Sequence, residues 1–198
     1  MHFGGFANKY INREFFMDLH PPLARLLVTL SAWVGGFQGN FNFYDIGADY
    51  ISAKVPYITM RLFTAVSGVL VVPIAFVMMR ALGVSKWTTL AFSLLTLFDN
   101  GLATQSRLIL LDSYLVLFTS MSGLFWALFQ REKSRPFTPR WWAYLSLLGF
   151  SIGGAASCKW VGLFVVAAVG LYTVTELWNL YGDVSVPIVI MRIYPICS

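Results

Sequence analysis

Between Arg61 and Arg80 the chain reads LFTAVSGVLVVPIAFVMM (residues 62–79), eighteen residues without a charge. An apolar run of that length, with basic residues at both ends, is long enough to cross a hydrocarbon core about 30 Å thick as a helix. Pro73 does not count against a helix there, because neighbouring helices can re-satisfy the carbonyl that its missing N–H leaves free. Further apolar runs follow. Residues 87–98 reach spanning length only with 101–104 added, 108–129 carry one charge (Asp112) near their start, and 141–157 and 160–177 are separated only by Cys158 and Lys159, the pattern of a tight helical hairpin. About five transmembrane helices are therefore expected, near 61–80, 87–104, 108–129, 141–157 and 160–178. Composition agrees: 58% of the 198 residues are hydrophobic, 12% are charged and the mean hydropathy is +0.69. A soluble domain is about one quarter charged, so this chain lacks the polar residues to cover its own surface. The fold class is an all-α membrane protein.

The first 59 residues are of mixed character and read as a non-spanning region. Four basic residues (Lys9, Arg13, Arg25, Lys54) are matched by four acidic ones (Glu14, Asp18, Asp45, Asp49). Within it, residues 23–33 are apolar but too short to cross a bilayer. Leu23, Leu26, Leu27 and Leu30 share one helical face with Arg25 and Thr29 off it, and Pro21 and Pro22 stand where a helix would begin. An amphipathic helix near 22–34 lying in the membrane interface is expected. Residues 35–49 are rich in Gly and Asn and read as loop. Residues 1–10 lack the charged start and apolar core of a signal peptide. Cys158 and Cys197 have neither metal nor disulfide spacing.

A formal charge of +5 can signal nucleic-acid binding, but here the basic residues sit in short loops between apolar runs and act as topology signals. Loops 80–86 and 131–140 carry six Lys/Arg (Arg80, Lys86, Arg131, Lys133, Arg135, Arg140) against Glu132 alone, so both are expected to face the cytosol. Alternation then puts the amino-terminal region, residues 99–112 and the turn at Lys159 on the opposite side. There Arg61 heads the first span, Asp99, Arg107 and Asp112 flank Thr104, Gln105 and Ser106, and Lys159 holds the last turn. Ionisable groups at membrane depth are costly and usually pair or serve a site. Three cations at one membrane face suit a phosphate, for which Arg has bidentate geometry. Singly, Arg61 and Lys159 also fit cations snorkelling from helix ends. His2 and His20 stand in the strings HFGGF and DLHPPL, and a lone His is first read as a structural hydrogen-bonding group.

Four strings in order, HFGGFANKYINREFFMDLHPPLARLL, VPYITMRLF, LFDNGLATQSRLILLDSYLVLF and SCKWVGLF, resemble the protein O-mannosyltransferases of the endoplasmic reticulum, over nearly the whole chain from His2 to about Asp183. The resemblance implies transfer of mannose from dolichyl phosphate mannose to Ser or Thr hydroxyls of proteins in the lumen. It implies a lipid-sugar-dependent (GT-C type) glycosyltransferase fold, a multi-pass location in the endoplasmic reticulum membrane and a dimer with a family member. It also implies one inverting displacement, with a carboxylate as base on the acceptor hydroxyl and cations on the lipid phosphate that leaves. Carried over residue by residue, His2 adjoins the acidic pair of the family pattern and is the catalytic candidate. Arg107 and Lys159 are the donor-phosphate candidates, Asp112 is expected to hold Arg107 by an ion pair, and Arg61 and Asp99 are supporting residues. No metal or other cofactor is implied, since there is no Asp-x-Asp string and the luminal acids are scattered. The partners implied are the donor lipid, Ser/Thr-containing proteins and the membrane, with no nucleic acid.

Two departures from the family pattern stand out. The pattern has an Asp-Glu pair directly before its His-Phe-Gly string, where this sequence has Met1, so the base is expected upstream and the chain by itself is expected to be inactive. After Asp183 the sequence VSVPIVIMRIYPICS departs from the family, and residues 179–198 are expected to be a divergent, truncated tail. Two other readings stay open: a different dolichol-linked mannosyltransferase, and a non-catalytic membrane subunit that pairs with a full-length relative. A transporter would carry internal repeats, and none is visible.

Overall fold

The computed structural model describes residues 2–43 and 49–182, with side chains described for 4–43 and 49–179. Every regular element among them is helical: α1 (His2–Ile11), α2 (Leu23–Val34), α3 (Tyr57–Ala81), α4 (Lys86–Leu97), α5 (Asn100–Arg107), α6 (Asp112–Arg131), α7 (Pro139–Cys158), a 3-10 turn (Trp160–Gly162) and α8 (Leu163–Gly182). Three stretches are long and apolar enough to cross a membrane: Tyr57–Ala81, Asp112–Arg131 and Trp160–Asn179. α7 equals two of them in length, at 20 residues.

The helix centred on residues 62–79 forms as expected and runs unbroken through Pro73. Its neighbours α6 and α4 pack along it, and α7 lies against α6. Small residues set these approaches. A Cβ at Gly154 of α7 would stand 2.5 Å from the Phe118 ring of α6, so the two backbones come together only because that position is glycine. Three serine hydroxyls inside the bundle bond along their own helices: Ser67 donates to the Phe63 carbonyl at 2.9 Å, Ser122 to Phe118 at 2.8 Å and Ser151 to Leu147 at 2.7 Å. They fill space between helices without leaving an unpaired group in hydrocarbon.

The second expected span, 87–104, is not one helix. α4 ends at Leu97 and α5 begins at Asn100, because Asp99 turns to extended backbone and its carboxylate accepts from the Leu102 N–H at 2.6 Å as an N-cap. An Asp inside an apolar run ends one helix by starting another. The amino-terminal region, read from the sequence as non-spanning, holds a helix the sequence reading did not mark: residues 2–11 form α1, which packs on α2.

α2 occupies the stretch expected to be an interfacial helix, but its inward face is not the leucine face. Leu26 and Leu30 are exposed, while Ala24, Arg25, Val28, Ser31 and Ala32 are buried. The small residues face inward because α1 and α3 pack closely against that side. A buried core forms where this region meets the bundle: Ala7, Ala24, Val28, Phe37, Val55, Met60, Leu111, Tyr114 and Cys158 belong to one cluster. Met60 lies in the first turn of α3, Leu111 precedes α6 and Cys158 ends α7, so three helix ends meet there.

Candidate functional site

The end of the bundle that carries this cluster also carries most of the ionisable residues singled out above. Lys159 donates from Nζ to Asp112 Oδ1 at 2.9 Å, and the two side chains are about 30% exposed. Asp112 is the first residue of α6 and Lys159 follows the last residue of α7. Each charge therefore sits at the helix terminus whose dipole favours it. Lys159 has extended backbone (φ −160°, ψ 148°), which stops α7, and its carbonyl accepts from the Gly162 N–H at 2.8 Å to start the turn into α8.

α5 is attached to the same corner. Ser113 Oγ donates to the Gln105 carbonyl at 3.3 Å, holding the last turn of α5 against the first turn of α6. Arg107 closes α5, is exposed, and has no ion-pair partner among the described residues. The expected Asp112–Arg107 pair is thus replaced by Asp112–Lys159. Arg107 and Asp112 are only five positions apart in sequence, but α7 delivers the ammonium directly onto the carboxylate, and sequence distance (47 residues) hid that contact.

Arg61 lies one residue beyond the buried Met60. Its guanidinium stands over the Tyr57 ring at 5.5 Å, with the side chain exposed. Asp99 is the α5 cap and borders a cleft lined by Val71, Leu95, Thr96, Leu102, Gln105 and Val116. His2 opens α1, and its side chain falls outside the described residues, as does the tail from 183 onward. Among the described residues no three His, Cys, Asp or Glu side chains converge.

The basic loops lie at the other end of the bundle. Arg80, in the last turn of α3, donates to the Val84 carbonyl, and Lys133, between α6 and α7, pairs with Glu176 near the far end of α8. The Trp126–Tyr172 contact, ring centroids 5.1 Å apart, runs α8 back along α6 as the expected hairpin requires. The cationic loops and the Asp112–Lys159 pair are therefore separated by the length of α6.

A second ionic cluster escaped the sequence reading. Arg25 is 4% exposed; its Nη1 donates to Asp18 at 2.7 Å, its Nη2 to the His20 carbonyl, and its guanidinium lies over Phe6 and Phe16 at 5.0 and 5.6 Å. The available signal was an Arg followed by leucines next to Pro21 and Pro22, which looks like a snorkelling cation. The loop 12–22 folds back and buries it instead. The same loop reaches the candidate site, since Trp160 Nε1 donates to the Leu19 carbonyl at 2.6 Å.

Residues 1–197 match the family model described as dolichyl-phosphate-mannose-protein mannosyltransferase. The chain is 43% identical over 187 residues to dolichyl-phosphate-mannose–protein mannosyltransferase 3 of Saccharomyces cerevisiae, covering 93% of this chain and 24% of that protein. It is 39% identical over 188 residues to protein O-mannosyl-transferase 2 of Danio rerio, covering 95% and 25%. Among solved structures it resembles the S. cerevisiae protein O-mannosyltransferase Pmt1-Pmt2 complex bound to the sugar donor, with a TM-score of 0.86 and 38% identity over 93% of this chain and 25% of that one. The chain spans about a quarter of the length of these relatives. An all-helical membrane bundle, a fold shared at that TM-score and a family match along 1–197 lead to one conclusion: this chain belongs to the dolichyl-phosphate-mannose-protein mannosyltransferase family.

Proposed function

We propose that this chain contributes the donor-phosphate side of an enzyme that transfers mannose from dolichyl phosphate mannose to Ser or Thr hydroxyls of proteins in the lumen of the endoplasmic reticulum, working as a dimer with a family member. The observation that carries the reading is the Lys159–Asp112 pair at 2.9 Å, joining α6 and α7 at the end opposite the basic loops, with α5 held beside it through Ser113. In this reading Arg107, exposed at the end of α5 and without an ion-pair partner among the described residues, takes the phosphate bidentately. Lys159 is the second phosphate ligand, kept in place by Asp112. As mannose leaves, the phosphate regains the electron pair of the broken glycosidic bond, and cations already in position lower the energy of that charge without reorganising. Asp99 and Arg61 support the corner, as the α5 cap and over Tyr57. His2 orients acceptor or phosphate from the start of α1.

The test is binding of radiolabelled dolichyl phosphate mannose to the full chain in nanodiscs. Arg107→Ala and Lys159→Ala each weaken binding by about tenfold, the effect expected for one charge-assisted contact of ~1.4 kcal/mol. Arg80→Ala, at the opposite end, leaves it unchanged. Binding that survives Arg107→Ala and Lys159→Ala together would refute the assignment.

A further inference from the structure

The sequence FFMDL (residues 15–19) connects α1 to α2 outside any helix, and its side chains alternate between two sides. Phe16 and the carboxylate of Asp18 turn inward. Phe16 lies 5.3 Å from the Phe6 ring and 5.0 Å from the Tyr10 ring, and Asp18 pairs with the buried Arg25. Phe15, Met17 and Leu19 are left on the outside, 92%, 89% and 79% exposed. Three neighbouring large apolar side chains held almost entirely clear of the protein form a ridge that water does not favour.

What meets the ridge follows from its depth. Trp160 donates its indole N–H to the carbonyl of Leu19, the last residue of the ridge. Trp160 is also the first residue of Trp160–Asn179, a stretch long and apolar enough to cross a membrane. The head of a span lies at the membrane–water boundary, where the amphipathic Trp ring is at home. Leu19 is therefore tethered at that boundary. Beyond Pro21 and Pro22 the chain continues into α2, which exposes Leu26, Leu30 and Trp33 at i, i+4 and i+7, a stripe of the kind an interfacial helix turns to lipid.

We infer that residues 15–19 are a membrane-surface anchor: Phe15, Met17 and Leu19 insert into the headgroup and upper acyl region of the bilayer beside the head of α8, with the Arg25–Asp18 pair and Phe16 acting as the clamp that keeps the ridge turned outward. The occupant is lipid, and the proposal rests only on the chain spanning a membrane, not on its transferase role. Such an anchor fixes the height of the amino-terminal region above the bilayer, and through Leu19 and Trp160 it fixes the Lys159 corner as well.

The test uses the full chain in phosphatidylcholine nanodiscs with a nitroxide at Met17→Cys. Cys197→Ser removes one native thiol, and Cys158, fully buried, stays unlabelled. Power-saturation measurements compare collisions with oxygen, which partitions into lipid, and with a water-soluble nickel chelate. The expected result is oxygen preference at position 17, and the reverse at Ser52→Cys in the exposed turn. A label at Phe15→Cys repeats the lipid signature, so one disturbed variant does not decide the matter. Nickel preference at both ridge positions would mean the ridge stands in water. Shielding from both reagents would mean another protein surface covers it. Either outcome overturns the anchor.

Discussion

Lys159 Nζ lies 2.9 Å from Asp112 Oδ1, and with that one contact the carboxyl end of α7 is locked to the amino end of α6. The pair is about 30% exposed on each side, so solvent screens part of the attraction. Replacing Asp112→Asn, Lys159→Met and both should give a coupling energy of about 1 kcal/mol in a double-mutant cycle, since the pair is charge-assisted but not buried. Thermal unfolding of the detergent-purified chain measures it. A coupling indistinguishable from zero would show that the two groups are merely neighbours.

The Arg25 cluster should be the more costly one to break. Arg25 is buried, paired with Asp18 and stacked on Phe6 and Phe16, so Arg25→Leu removes a charge and strands its partner. The expected loss is about 3 kcal/mol, at the low end for a buried pair because Asp18 can reach water. Arg25→Lys keeps the charge but cannot reach both Asp18 and the His20 carbonyl from one planar fork, so it recovers only part. An unchanged melting temperature for Arg25→Leu would contradict the clamp.

Helix α5 is held to α3 by close contact at Gly68. A Cβ there would fall on Ser106 Oγ and lie 2.6 Å from Ser106 Cβ, and Ser106 is itself tied to the Leu102 carbonyl. Gly68→Ala should destabilise by roughly 1–3 kcal/mol through overpacking. Adding Ser106→Gly should restore much of the loss. Failure of that rescue in thermal melts would place the strain elsewhere.

The turn after Asp49 should respond to acid. Its carboxylate accepts from the N–H groups of Ile51 at 2.9 Å and Ser52 at 3.1 Å, and the Ile51 bond, then those of Ser52, pull its pKa below the ordinary carboxylate value. A group whose folded pKa is depressed adds stability only while ionised. That contribution is fully present above about pH 4, the unfolded value, and is lost as pH falls through the lower folded value. Amide exchange at Ile51 and Ser52, corrected for intrinsic rate, should lose protection as pH falls below about 4. Asp49→Asn should flatten the profile, and a profile unaltered by that substitution would rule out the carboxylate.

Hydropathy alone located most of the helical stretches, because a chain with so few charges has nowhere to put eighteen apolar residues except across lipid. It missed the break at Asp99, where a short-range capping bond outweighs the preference for a continuous helix. It also gave no sign of α1, a short helix of glycines and mixed residues that packs on α2. The charge asymmetry of the loops separated the two ends of the bundle correctly, and motif order was enough to indicate the family.

The sequence by itself determined that this is a membrane bundle, which residues could bear charge at its ends, and to which family it belongs, since all three depend on composition, loop charge and short strings read along the chain. Only the tertiary structure decided who pairs with whom. Lys159 rather than Arg107 meets Asp112, and Arg25 turns inward while Leu26 and Leu30 turn out. Pairing energies fall off over a few ångströms, and that separation in space is set by how α6, α7 and the loop before α2 pack, not by how far apart their residues stand in the sequence.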